Sequence, residues 1–377
     1  LRRPALDEWF RRAFDDDAPS RLGTGWASGT ASVFLGAVAA GATLVLRFPG
    51  ALSAPAFREL YPMTLVRGAL EAAIVAAFAL GAISLLLRRR KVLGLTGCGL
   101  AILATALGGG EAQSRGGPEL GLGLDWFLLN LFLLALVFVP LERLWPLRAG
   151  QSVFRAGWTT DVVHFFASHV MVQALSFLIL WPATRFAAAV PDAVVVPLVR
   201  DLPTWGQWLL AVLLADLAQY AVHRTFHLVP LLWRFHAIHH SSPALDWLAG
   251  SRLHLVDVLA TRSLVLAALL AVGIEAPALT GYLAFVSLHA VLIHANLRWD
   301  FGALEALLVS PRFHHWHHSD AAEARDRNFA VHLPWIDALF GTRHLPPGRW
   351  PETYGVAGAP VPAGYLGQLA HPFRGAR

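Results

Sequence analysis

Long apolar runs, broken by short polar segments rich in arginine, set the pattern of this chain. A run near twenty residues is what a helix needs to cross a bilayer. Eight such runs are expected, at about 30–48, 64–87, 92–108, 123–141, 160–186, 205–222, 256–273 and 278–293. The break Gly273-Ile274-Glu275-Ala276-Pro277 makes the last two a hairpin that enters and leaves the bilayer. Arg88-Arg89-Arg90-Lys91 closes the second run, and Glu142, Arg143, Arg148 and Arg155 follow the fourth. By the positive-inside rule both stretches are cytoplasmic. The pattern therefore predicts an all-α integral membrane protein of about eight membrane helices. Residues 1–28 read as a polar lead-in. Glu71, inside the second run, is either functional or matched by a polar neighbour.

Composition agrees with this reading. The 377 residues are 56% hydrophobic and 15% charged, with mean hydropathy +0.52, which is not the balance of a soluble globular domain. A formal charge of +5 and a pI near 10 raise the question of nucleic acid. The basic residues sit between apolar runs and form no stripe, which excludes that partner. The single cysteine, Cys98, rules out an intrachain disulfide and a cysteine-based metal site. Lys91 is the only lysine among many arginines, and with the Ala, Gly and Leu richness this suggests a GC-rich bacterial gene.

Core packing does not explain the histidines between Asp216 and His318. Asp216, Tyr220, His223 and His227 follow one another at helical spacing; His236, His239 and His240 come next. His294 stands shortly before Asn296, and His314, His315, His317 and His318 close the series. Residues three and four apart share a helix face, so each cluster turns several imidazoles to one side. Neutral imidazole is the commonest metal ligand, and converging rings repel when protonated. Three such clusters suggest a polynuclear metal site, and donors without thiolate suit Fe(II) or Zn(II).

These boxes resemble the fatty acid hydroxylase/sterol desaturase superfamily of integral-membrane di-iron oxygenases. The resemblance rests on HRxxH (His223–His227), HxxHH (His236–His240), His294 before an Asn, and a second HxxHH (His314–His318). It extends to Asn328-Phe329 and to Pro334-Trp335-Ile336-Asp337-Ala338-Leu339-Phe340-Gly341-Thr342, and covers about Arg155 to Thr342. It implies that His223, His227, His236, His239, His240, His294, His314, His317 and His318 are metal ligands, more than one ion can use. Two Fe ions are thus expected, with Zn a possible replacement. The resemblance further implies O2, a membrane lipid substrate, and an external reductant from a separate ferredoxin- or cytochrome-type donor with its reductase. The expected reaction is hydroxylation or desaturation of a sterol, fatty acyl, carotenoid or ether lipid. Relatives with a fuller set carry another histidine at the place of Ala290, beside His289. Water, His254 or His289 could supply that tenth ligand. His315 points away from its neighbours' face, and His254, in Arg252-Leu253-His254, either binds metal or orients a ligand. Asp216, Asp257, Asp337 and Asn328 are candidates to accept the proton on a ligand's other ring nitrogen.

The expected organisation is an added membrane-helix module over 1–150, a catalytic domain over 151–345, and an irregular Pro/Gly-rich cytoplasmic tail over 346–377. Eight segments bring every box to one face, in a helical cap on the cytoplasmic side of a bacterial inner membrane. A His-rich zinc-binding or transport protein is the alternative, but transport would place ligands within the bilayer on a through path. A zinc hydrolase would need the HExxH element, which the chain lacks.

Overall fold

The computed structural model describes residues 23–53, 62–114, 123–174, 176–189, 195–299, 301–356, 358 and 361–374. The polar lead-in expected over 1–28 falls outside the described residues up to residue 22. Among the described residues the chain is helical, with only isolated β-bridges pairing Pro146 with Leu297 and Ser319 with Tyr354. The principal helices are α1 (Trp26–Arg47), α2 (Met63–Leu87), α3 (Val92–Ala106), α4 (Leu124–Leu144), α5 (Trp158–Ala174) and α6 (Ser176–Ala189). They continue with α7 (Thr204–Leu228), α8 (Pro230–His240), α9 (Leu255–Ala271), α10 (Ala276–His294) and α11 (Pro311–His317).

Among the described residues five helices are long and apolar enough to cross a membrane: α1, α2, α3 with its continuation to Glu111, α4 and α10. The sequence pattern predicts eight. The fifth run is divided between α5 and α6, α7 carries Asp216, Gln219, His223, Arg224 and His227, and α9 has only 17 residues. Length and composition alone therefore identify five.

The chain forms two compact units, the first comprising 1–135 and 152–155. In it α1, α2 and α3 meet along small residues: Gly29, Ser32, Gly36, Ala40 and Thr43 on α1, Gly81 and Ser84 on α2, and Gly94, Gly97 and Ala101 on α3. Small side chains let helix backbones approach where lipid offers no hydrophobic drive to associate. A Cβ on Gly36 would come within 2.8 Å of the Leu100 Cβ, and one on Gly97 would overlap Ser32. Ser32 donates to the Ala77 carbonyl across this contact (2.5 Å). Glu71 accepts from the Gly110 amide (2.6 Å), so its polar neighbour is the loop that follows α3.

The second unit comprises 136–151 and 156–377. Its apolar centre joins Ala211, Val212 and Ala215 of α7, Val265 and Leu269 of α9, and Ala278 and Tyr282 of α10. Pro230 opens α8 directly after the extended Val229; proline suits the first helical position because its missing N–H has no helical partner there. The chain thus reverses between His227 and His236. At α11, Ser310 caps the helix by accepting from the Phe313 amide (3.2 Å), and Pro311 again takes the first position. Arg312 pairs with buried Glu305, which also accepts from the Ser310 hydroxyl (2.8 Å). The tail expected to be irregular carries a short helix, Tyr365–Ala370. Gln368 of that helix meets His164 of α5 at 2.8 Å.

Candidate metal centre

The nine histidines come together in two groups. His223, His227, His236, His240 and His317 form one, and His239, His294, His314 and His318 the other. Within each, one ring nitrogen per residue lies within 4.8 Å of all the others. Each HxxHH box divides between them. Its first and last histidines, four apart, serve one group, while the histidine at the third position after the first serves the other. The α8 box gives His236 and His240 to the group of five and His239 to the group of four; the α11 box does the reverse.

Hydrogen bonds fix which nitrogen faces inward in five of the nine rings. A backbone carbonyl can only accept, so a ring nitrogen bonded to one carries the proton, and the other nitrogen of a neutral ring is then a lone pair. His223 donates from Nδ1 to the Phe329 carbonyl (2.8 Å), His317 to that of Arg327 (2.8 Å) and His239 to that of Arg252 (3.2 Å). His294 donates to the Ala290 carbonyl one turn back (2.6 Å), and His236 to the Asp257 carboxylate (2.7 Å). The inward nitrogens then meet as acceptors: His223 Nε2 lies 3.0 Å from His236 Nε2, and His294 Nε2 3.3 Å from His239 Nε2. His314 Nε2 lies 3.0 Å from His294 Nε2 and 3.1 Å from His318 Nε2.

Lone pairs at such distances repel unless a cation stands between them. Two nitrogens bound to one ion at about 2.1 Å, at angles between octahedral and tetrahedral, are separated by roughly 3.0–3.4 Å. The buried Nε2 atoms of His227, His240 and His317 have no hydrogen-bond partner; a buried polar atom left so is costly. Both observations fit one ion per group. Burial first, then the neighbouring imidazoles, hold His239, His240, His314, His317 and His318 well below the ordinary histidine range, keeping them neutral as ligands must be. Neither group contains a carboxylate or thiolate, a donor set suited to iron or zinc. The rings of Phe329 and Trp233 cover the group of five, 5.1 and 4.9 Å from His227 between centroids.

The other candidate residues lie outside both groups, for definite reasons. His254 uses Nδ1 to accept from the Val256 amide and Nε2 to meet the Leu369 carbonyl. His289 is paired with His332 (3.0 Å) and the Val309 carbonyl (2.9 Å). Both ring nitrogens of each are engaged, and neither residue is in the two groups. His315 meets the Tyr354 hydroxyl (2.7 Å) and the Ala295 carbonyl (3.1 Å). Of the four orienting candidates, Asp257 alone contacts one of the nine rings. Asp216 instead accepts from the amides of Val331, His332 and Leu333, and Asp337 from those of Phe329 and Ala330. Asn328, at φ 59°, donates to the Phe313 and His344 carbonyls. These three shape the segment whose Phe329 carbonyl receives the His223 proton, so they act on the backbone and not on a ring.

Sequence reasoning missed three participants. Asp326 lies 3.4 Å from His227 Nδ1, and His332 partners His289. Asp161 holds Arg252 (2.6 Å), whose carbonyl orients His239. The Arg252-Leu253-His254 element drew attention to this corner through His254, and Arg252 is the residue of the three whose carbonyl meets a ring of the two groups.

Residues 208–342 match the family model described as fatty acid hydroxylase, and this interval contains all nine histidines. The ornithine lipid hydroxylase OlsE of Rhizobium tropici is 30% identical over 242 residues, which cover 62% of this chain and 70% of that protein. The alkylglycerol monooxygenase of Danio rerio is 32% identical over 135 residues, 36% of this chain and 30% of that protein. The human alkylglycerol monooxygenase is 30% identical over 135 residues, again 36% and 30%. No solved structure matches the chain.

Proposed function

The chain belongs to the fatty acid hydroxylase family, and we propose that it is an O2-dependent di-iron oxygenase that hydroxylates a membrane lipid. The observation that carries this reading is the meeting of inward Nε2 lone pairs, His223 with His236 at 3.0 Å and His239 with His294 at 3.3 Å, one pair within each of two all-histidine groups. Two bound irons would supply the O2 activation that an unactivated C–H bond requires, with electrons from a separate ferredoxin- or cytochrome-type donor and its reductase.

The chain's own part is to hold and orient. His223, His227, His236, His240 and His317 would hold one ion, and His239, His294, His314 and His318 the other. The carbonyls of Phe329, Arg327, Arg252 and Ala290, with the Asp257 carboxylate, keep the proton on the outer nitrogens of His223, His317, His239, His294 and His236 and so leave the inner ones free to bind. Phe329 and Trp233 exclude water from the group of five. Hydroxylation is favoured over desaturation because the relatives are named as a hydroxylase and monooxygenases, and their names also favour a lipid with a polar head.

For topology, the Arg88–Lys91 tetrad and the arginines after α4 support eight membrane segments, with the histidine cap on the cytoplasmic side of a bacterial inner membrane. On this reading residues 1–150 are an added membrane module, 151–345 the catalytic domain and 346–377 a cytoplasmic tail. The test is to incubate iron-loaded protein with reductase, donor and a polar-lipid extract under isotopically labelled O2. One labelled oxygen per product, absent without reductant, is expected. Product formation that is indifferent to O2, or label entering from water, would overturn the reading.

A further inference from the structure

Arg262 lies midway along α9, and the face it occupies is informative. Val258, Val265 and Leu269, four residues before it and three and seven after, are all buried. At those spacings they share its face. Val265 and Leu269 pack in the apolar cluster with Ala211 and Ala215 of α7 and Ala278 and Tyr282 of α10. Arg262 therefore points inward among three helices, yet its own side chain is exposed. An inward-facing side chain with exposed surface lines a space within the bundle.

The charge there is unanswered. Neither the Arg262 guanidinium nor the Tyr282 hydroxyl has a hydrogen-bond or ion-pair partner among the described residues. Tyr282 is the titratable group whose field Arg262 senses. Asp216, which Tyr282 also senses, has its carboxylate committed to three backbone amides. An arginine inside an apolar helix is costly, and such residues face a partner or a pathway. Asp257, the support of His236, precedes Arg262 by five residues on the same helix, about 7.5 Å along its axis.

We propose that Arg262, with the Tyr282 hydroxyl near it, binds the anionic group of the lipid substrate, a carboxylate or a phosphate, in the space among α7, α9 and α10. The inference rests on the lipid-hydroxylase reading and narrows its substrate to an anionic amphiphile, in place of a sterol or carotenoid. The guanidinium suits this task because its planar fork meets two oxygens of either anion at once.

The test measures binding and needs no turnover. Full-length protein in nanodiscs of neutral lipid is titrated with oleate against oleyl alcohol, and with dioleoyl phosphatidic acid against dioleoylglycerol. Metal content is measured alongside. Wild type is expected to bind one anionic probe more tightly than its neutral counterpart by about ten- to hundredfold, the range of a charged hydrogen bond. Arg262→Gln should abolish that preference with metal content unchanged, and Tyr282→Phe should reduce it. Arg262→Met gives the same comparison should the Gln variant lose metal. Preference for oleate assigns a carboxylate, and preference for phosphatidic acid a phosphate. No anionic preference in wild type, or one that survives loss of the guanidinium, would overturn the proposal. Arg262-dependent binding without O2-dependent product would instead remove the proposed reaction and leave the site standing.

Discussion

Asp257 offers a sharp test of how the protein would tune one of the two proposed metal positions. Its Oδ2 lies 2.7 Å from His236 Nδ1, and Thr261 donates to its Oδ1 at 3.2 Å. Both His236 and Asp257 are buried, so water cannot replace the contact. A hydrogen bond to a charged group contributes roughly 1.5–3 kcal/mol, and every 1.4 kcal/mol is about tenfold in binding. Asp257→Ala leaves the His236 N–H unpaired and should weaken metal binding at the group of five by about 10–100-fold, the range typical of such supports. Asp257→Asn keeps an oxygen acceptor and loses the charge. Since a charged hydrogen bond is roughly twice as strong as a neutral one, its loss should be about tenfold or less. The assay is competition of metal-free protein against a calibrated chelator, resolving two binding steps. One step should weaken in the order wild type, Asn, Ala, while the step of the group of four stays in place. Equal weakening of both steps, or none in the Ala variant, would refute the reasoning.

Three further outcomes follow from the same contacts. His317→Ala and His318→Ala, adjacent in sequence, should weaken different metal steps, and His236→Ala should couple with the former and not the latter in a chelator-based double-mutant cycle. Glu305→Ala strips the buried Arg312 of its carboxylate and should destabilise the protein by about 3–5 kcal/mol, seen as a fall in the thermal midpoint that Arg312→Met with Glu305→Leu partly restores. Gly97→Leu drives a side chain into Ser32 and should cost at least about 1–3 kcal/mol, whereas Val75→Leu on an exposed face should change the thermal midpoint little.

The candidate ligands were legible because their spacing is local. Within His236–His240 and His314–His318, helix geometry alone turns three rings to one side. How those rings divide was not legible, because the partner of His239 is His294, 55 residues away, and that of His223 is His317. The supports were hidden for another reason. Four of the five anchored Nδ1 atoms rest on backbone carbonyls, which any residue provides and no motif marks. Asp216, Asp337 and Asn328 announced themselves as polar groups in unusual places, but their targets are amides of a loop that only the fold brings near. The helix count shows the same limit. The apolar run over 205–222 reads as a span in the sequence, but the polar side chains of α7, Asp216, Gln219, His223, Arg224 and His227 among them, leave it outside the five described helices that length and hydropathy mark.

The central claim is that nine histidines divide five and four around two ions. Its most direct test is the iron and zinc content of purified protein expressed in iron-rich medium, measured also for His239→Ala and His317→Ala. The account predicts about two irons per chain in wild type and loss of iron in both variants, since each removes a ligand from a different group. One tightly held zinc, no iron, and no effect of either substitution would contradict it.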